Sequence, residues 1–118
     1  MTSEHVASFY AASANPQPSL PALQGRVDAD VCIVGAGYNG LSSALHLAEA
    51  RFKVVVLEAG KTGFGASGRN GGQIVHSYSR DIDVIEKNHG KAVADAMGNM
   101  AFEGARIIRE RVAKYGID

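Results

Sequence analysis

The chain has 118 residues, with 12 basic and 12 acidic side chains and a formal net charge of zero. That length suits one small domain with a modest core. The charge balance gives no electrostatic reason to expect nucleic acid or an anionic membrane as a partner. Cys32 is the only cysteine, which excludes an internal disulfide and is read as a reducing, cytoplasmic setting.

Residues 1–28 read as an irregular N-terminal arm. Met1–Tyr10 includes Glu4 and His5 and lacks an apolar core, so it is not read as a secretory signal. Pro16, Pro18 and Pro21 forbid a continuous helix. Ala11, Ala12, Ser13 and Ala14 offer little to bury, while Phe9 and Tyr10 could anchor the arm on a larger body. No run approaches the ~20 apolar residues that span a bilayer.

Ala29–Val34 is a short, mostly apolar run with the composition of a buried parallel strand. A glycine-rich turn follows, Gly35–Gly40, and then Leu41, Ala44, Leu45 and Ala48 recur at helical spacing. Lys53–Glu58 predicts a second strand through Val54, Val55 and Val56. Strand, glycine turn, helix and strand in this order fit a right-handed βαβ crossover.

A second glycine-rich stretch runs from Gly60 to Gly72. Asp81–Asn88 then predicts a helix. A longer amphipathic one follows at Lys91–Tyr115, carried by Val93, Met97, Met100, Ile107, Ile108 and Val112. Gly98 and Gly104 weaken that helix by ~1 kcal/mol each relative to alanine, unless they allow close packing. Gly116 ends it. The fold class is α/β: a Rossmann-like FAD- or NAD(P)-binding βαβ unit with additional helices. A parallel sheet of two or three strands needs cover on both faces, so exposed apolar surface and self-association are expected.

Gly35-Ala36-Gly37-Tyr38-Asn39-Gly40 matches G-x-G-x-x-G, a weak signal alone that its strand–turn–helix context strengthens. Gly35 permits the tight turn out of the strand. Gly37 lets the backbone approach a pyrophosphate, and Gly40 lets the helix pack close to the sheet. The helix N-terminus offers unpaired N–H groups and partial positive charge to the phosphates. Glu58, 18 positions after Gly40, can accept from ribose hydroxyls. The whole turn is therefore a candidate cofactor contact, together with Glu58 and the following Ala59. The bland alternative is a tight turn without a ligand, with Glu58 a solvated strand end. Arg51 breaks the pattern, because it stands at a helix end that favours a left-handed glycine.

Glycine spacing does not separate NAD from FAD. Gly63-Phe64-Gly65-Ala66-Ser67-Gly68-Arg69-Asn70-Gly71-Gly72 adds small residues and backbone N–H groups that can lie against a flat ring or a phosphate. Arg69 brings a fixed charge, and Asn70 can both donate and accept. A flexible surface loop is the competing explanation.

Three segments together resemble the FAD-dependent D-amino-acid oxidase family: Asp30–Glu49, Val54–Ala59 (Val-Val-Val-Leu-Glu-Ala) and Gly65–Gly72 (Gly-Ala-Ser-Gly-Arg-Asn-Gly-Gly). Tyr10–Asn15, Ser77–Glu86 and Phe102–Arg111 extend the likeness over nearly the whole chain. The resemblance implies FAD, bound covalently or not, an amine substrate and oxygen as electron acceptor. Hydride would pass to the flavin, and the imine would hydrolyse to an aldehyde. It places Gly35, Gly37 and Gly40 at the pyrophosphate and Glu58 at the adenosine ribose. Ser67, Arg69, Asn70, Gly71 and Gly72 would lie nearer the flavin, and His76 would lie within reach of flavin or substrate unless it is structural. No residue is read as catalytic, and no metal ligand set is recognised. Family members run to several hundred residues and add a substrate-binding sheet and a C-terminal segment that contacts FAD. Residues 29–118 are accordingly read as the N-terminal part of an FAD-binding domain, without a substrate domain and inactive in isolation. The competing functional reading is a non-catalytic module that binds NAD or FAD for another subunit.

Overall fold

The computed structural model describes residues 5–117; Met1–Glu4 of the lead-in and Asp118 lie outside them. The chain divides into two compact units, one running to Gly71 and the other starting at Gly72.

The first unit opens with a lead-in that holds one short helix, α1 (Phe9–Ser13), where the sequence suggested irregular chain. Its cause is local. The Ser8 hydroxyl accepts from the Ala11 N–H at 3.2 Å, capping an alanine-containing turn. A single turn is too short to display a hydrophobic period, and the prolines stop it from growing. Phe9 and Tyr10 pack edge to face on each other, 6.0 Å apart, with Phe9 79% exposed. The arm is tied down by other residues. Gln17 donates to the Thr62 carbonyl at 3.4 Å, and the His5 ring lies 5.9 Å from that of Phe64.

Strands β1 (Val31–Val34) and β2 (Val54–Leu57) pair in parallel, with Val31 opposite Val54 and Val34 opposite Leu57. Both are shorter than the apolar runs that announced them. At the leading end a side chain replaces part of the ladder. The Lys53 N–H donates to the Asp30 carboxylate at 2.7 Å, while the Asp30 N–H donates to the Lys53 carbonyl at 2.9 Å. Helix α2 (Tyr38–Glu49) connects the strands and packs on both.

Helix α2 ends in a Schellman motif: the Phe52 N–H reaches the Leu47 carbonyl and the Arg51 N–H the Ala48 carbonyl, each at 3.0 Å. This geometry requires a left-handed residue, and Arg51 supplies it at φ 71°. Hence the irregularity visible in the sequence is a real one in the backbone.

The second unit is helical. Helix α3 (Ile82–His89) packs on α4 (Lys91–Tyr115), and Gly90 at φ 86° joins them. The α3 boundaries shift by one residue from expectation because Asp81 takes the N-cap position. Tyr78 donates to the Met97 carbonyl at 2.7 Å, and the His76 ring stacks on Phe102 with centroids 5.0 Å apart. Helix α4 ends at Gly116 with φ 60°, and the Ile117 N–H bonds to the Val112 carbonyl at 3.1 Å.

Among the described residues the buried apolar set is small: Ala36, Ile85, Ala94 and Ala105. Larger apolar side chains stay in contact with water, Val34 of the sheet at 85% exposure. The two-stranded sheet thus has the uncovered surface expected of an isolated parallel pair.

Candidate functional site

The first glycine turn is fixed by its ends. Gly35 adopts φ 101°, a conformation that L side chains resist, and its N–H donates to the Leu57 carbonyl at 2.7 Å. The strand exit is therefore locked to the end of β2. Gly40 is constrained by space instead. A methyl group there would overlap the Gly35 carbonyl oxygen and press on Ile33. The first turn of α2 accordingly rests directly on β1, as the third glycine of the pattern requires.

Between these glycines, Ala36 is the hub. It is 4% exposed. Its N–H donates to Glu58 Oε2 at 2.7 Å, and its carbonyl accepts from the Gly63 N–H at 2.9 Å. Glu58 uses its other oxygen, Oε1, to accept from the Gly60 N–H at 2.9 Å. These donors, Ala36 first and Gly60 second, hold the Glu58 carboxyl below the usual carboxylate range; slight burial opposes them and the Ala59 N–H adds a weaker pull. The ionised side chain, itself exposed, thus braces the glycine turn at the end of β2. Each oxygen keeps a second lone pair with which to accept a hydroxyl.

The second glycine stretch closes over the start of α2. A short 3-10 turn, Ala66–Gly68, places the Ser67 hydroxyl 3.0 Å from the Tyr38 N–H, the first of the helix. A Cβ on Gly37 would come within 2.9 Å of that hydroxyl. An oxygen acceptor therefore already sits on the N-terminus of α2, where residue 37 has no side chain to keep it away. Asn70 Nδ2 donates to the Ser67 carbonyl at 2.8 Å and to the Tyr38 hydroxyl at 3.0 Å. The Arg69 guanidinium turns back on its own loop, bonding the Phe64 carbonyl at 3.3 Å and lying 5.5 Å from the Phe64 ring centroid.

Most of the residues singled out in the sequence thus share one network: Gly35, Ala36, Gly37, Tyr38, Gly40, Glu58, Ala59, Ser67 and Asn70. Asn39 is exposed on the first turn of α2, and Arg69 and Gly71 complete the second loop. Gly72 and His76 belong to the second unit. Sequence reasoning missed the ties between the loops. The Gly63 N–H and the Tyr38 phenol carried no local signal, because their partners, Ala36 and Asn70, lie far along the chain. Among the described residues no helix is long and apolar enough to cross a membrane.

Residues 30–118 match the family described as FAD dependent oxidoreductase. The chain belongs to this family. Among curated relatives it is 64% identical over 115 residues to the gamma-glutamylputrescine oxidoreductase of Escherichia coli, covering 98% of this chain and 27% of the relative. It is 47% identical over 114 residues to a probable oxidoreductase, OrdL, of Haemophilus influenzae, covering 97% of this chain and 26% of the relative. A Rhizobium meliloti protein of the same name is 35% identical over 111 residues, with coverages of 94% and 26%. The chain therefore spans only about a quarter of the length of these relatives. No solved structure matches it significantly.

Proposed function

We propose that residues 30–71 hold the ADP half of FAD in an oxidoreductase that acts on a C–N bond of γ-glutamylputrescine or a related amine. The observation that carries this is the convergence of both glycine loops on the N-terminus of α2, with the Ser67 oxygen on the Tyr38 N–H. The residues suit the group. A phosphate needs donors without side chains in front of them, and Gly37 supplies that gap. The Ser67 hydroxyl, accepting from Tyr38, keeps its own proton to donate to a phosphate oxygen. Glu58, held ionised by the Ala36 and Gly60 N–H groups, offers its remaining lone pairs to ribose hydroxyls and disfavours a 2′-phosphate there. When bound, FAD supplies the hydride-accepting ring and its reoxidation by oxygen. This chain's part is to bind and orient it, and we assign no catalytic residue.

In this reading residues 1–28 are an arm, and residues 29–118 form the N-terminal part of the FAD-binding domain. The single cysteine supports a reducing, cytoplasmic setting. The exposed apolar side chains support self-association of the chain when it stands alone. A monodisperse monomer in sedimentation would refute that last point.

The test is a titration of the encoded protein with FAD, ADP and NAD, followed by flavin fluorescence and melting temperature. FAD is expected to bind more tightly than NAD. Tighter NAD binding would favour the non-catalytic module, since the Glu58 strand end suits either dinucleotide. Gly37→Ala is expected to weaken FAD and ADP about tenfold or more, the loss of one charge-assisted hydrogen bond. The fold should survive, because the added methyl meets only the Ser67 side chain, whose hydroxyl can turn away, and no backbone atom.

A further inference from the structure

We infer that Tyr38 and Asn70 are positioning residues that lock the second glycine loop over the N-terminus of α2, keeping the Ser67 hydroxyl aimed at the pyrophosphate of a bound dinucleotide; the inference rests on the dinucleotide reading above. Tyr38 is held at both ends. Its backbone N–H bonds Ser67 Oγ at 3.0 Å, and its phenol oxygen lies 3.0 Å from Asn70 Nδ2 and 3.2 Å from Asn70 Oδ1. Asn70 Nδ2 also donates to the Ser67 carbonyl at 2.8 Å. Three residues thus close a ring of hydrogen bonds across 32 sequence positions.

Two features show why this ring sets the loop's position. First, the residues from Gly65 to Gly68 are glycine, alanine and serine, and none is buried. The nearest apolar anchor is Phe64, just before this stretch, so within residues 65–68 directional bonds must place the chain. Second, Tyr38 is a large aromatic residue left 64% exposed in a turn otherwise built of small residues. Its ring buries little, and its hydroxyl is the part that reaches across. Both Nδ2 hydrogens of Asn70 point to protein acceptors, Ser67 and Tyr38, which leaves this amide no donor for a ligand. Asn70 and the Tyr38 phenol therefore act on the cofactor through Ser67 and not by touching it.

The experiment compares wild type, Tyr38→Phe, Asn70→Ala and the double variant in the protein as encoded, including any chain beyond residue 118. Dissociation constants are measured for FAD, ADP and adenosine. Tyr38→Phe is expected to weaken FAD and ADP by the same factor, about threefold to tenfold for one hydrogen bond, and to leave adenosine unchanged. Asn70→Ala should do the same, and the double variant should be no weaker than Asn70→Ala alone, as for partners in one network. Amide exchange of residues 66–70 should quicken in both single variants without ligand. Unchanged FAD and ADP affinities would overturn the inference, even with a lowered melting temperature, since that is a merely structural role. A loss confined to FAD would overturn it too, by placing the phenol at the flavin. Additive losses would show two independent contacts. If wild type binds none of the three ligands, the dinucleotide reading itself falls, which is a separate and recognisable failure.

Discussion

Gly40 and Gly104 both lie inside helices, one in each unit, and a methyl group would have opposite consequences at the two. At Gly40 it would run into the Gly35 carbonyl; at Gly104 it would meet nothing within 4 Å. The contrast extends to the units that contain them. Around Gly40, side chains and backbone are joined over long stretches of sequence: Ala36 to Glu58, Tyr38 to Ser67, Tyr38 to Asn70. In the unit around Gly104 one side-chain bond reaches across the chain, from Tyr78 to the Met97 carbonyl, and the ion pairs are local, with Lys91 paired to Asp95 and Arg106 to Glu103 and Glu110 on the exposed face of one helix. Such surface pairs contribute little. A glycine is thus irreplaceable where the helix backbone rests directly on another turn of chain, and it is merely tolerated where the helix position faces open space.

The largest effect should come from Gly40→Ala. Forcing a side chain between α2 and the Gly35 carbonyl is expected to destabilise the first unit by ~1–3 kcal/mol and to abolish dinucleotide binding, as seen by denaturant melts and FAD titration. A variant that folds and binds as wild type would break the contrast at its root. Next comes Glu58→Gln. The Glu58 carboxyl lies below its ordinary range in the folded chain, so its stabilising effect is present above the unfolded value and is lost as pH falls through the folded one. An amide can accept at only one of its two positions and sets an N–H against the Ala36 or Gly60 donor. The variant should melt earlier at neutral pH, and its melting temperature should fall less than wild type on acidification.

Smaller effects sharpen the comparison. Helices α2 and α4 end in the same left-handed geometry, with Arg51 at φ 71° in one and Gly116 at φ 60° in the other. Arg51→Gly should stabilise the first unit by about 1 kcal/mol, without changing FAD affinity. Gly104→Ala should stabilise α4 by ~0.4–1 kcal/mol, read as a rise in helical signal at fixed denaturant. A loss of stability there would mean that Gly104 permits a contact after all.

Much of the fold could be read from the residue order, because its signals are local. The β-branched run at Val54–Val56, the helical spacing after Gly40 and the long period of α4 each announce their element within a few residues. So does the glycine pattern, since Gly35, Gly37 and Gly40 state a backbone shape directly. What stayed hidden falls into two kinds. Helix α1 is one turn set by the Ser8 hydroxyl, too brief for any period to develop. The contacts that assemble the site join residues with nothing in the sequence to pair them. Tyr38 sits at a position the glycine pattern leaves open, and Asn70 looked like a polar loop residue ready for a ligand; only three-dimensional closure brings them together. Glu58 was read for its outward task, while its inward bonds to Ala36 and Gly60 depend on where the turn folds back.

Ala36 carries a consequence for how the site comes into being. Its one peptide neighbourhood receives Glu58 from 22 positions away and Gly63 from the loop beyond. Neither contact can form until the intervening chain has closed on itself, and each closure eases the other by shortening the chain left to order. The turn, the end of β2 and the second loop therefore become ordered together and not in instalments. A ligand that spans them captures the whole cooperative step. At a hundred times its dissociation constant it would stabilise the folded state by about 2.7 kcal/mol.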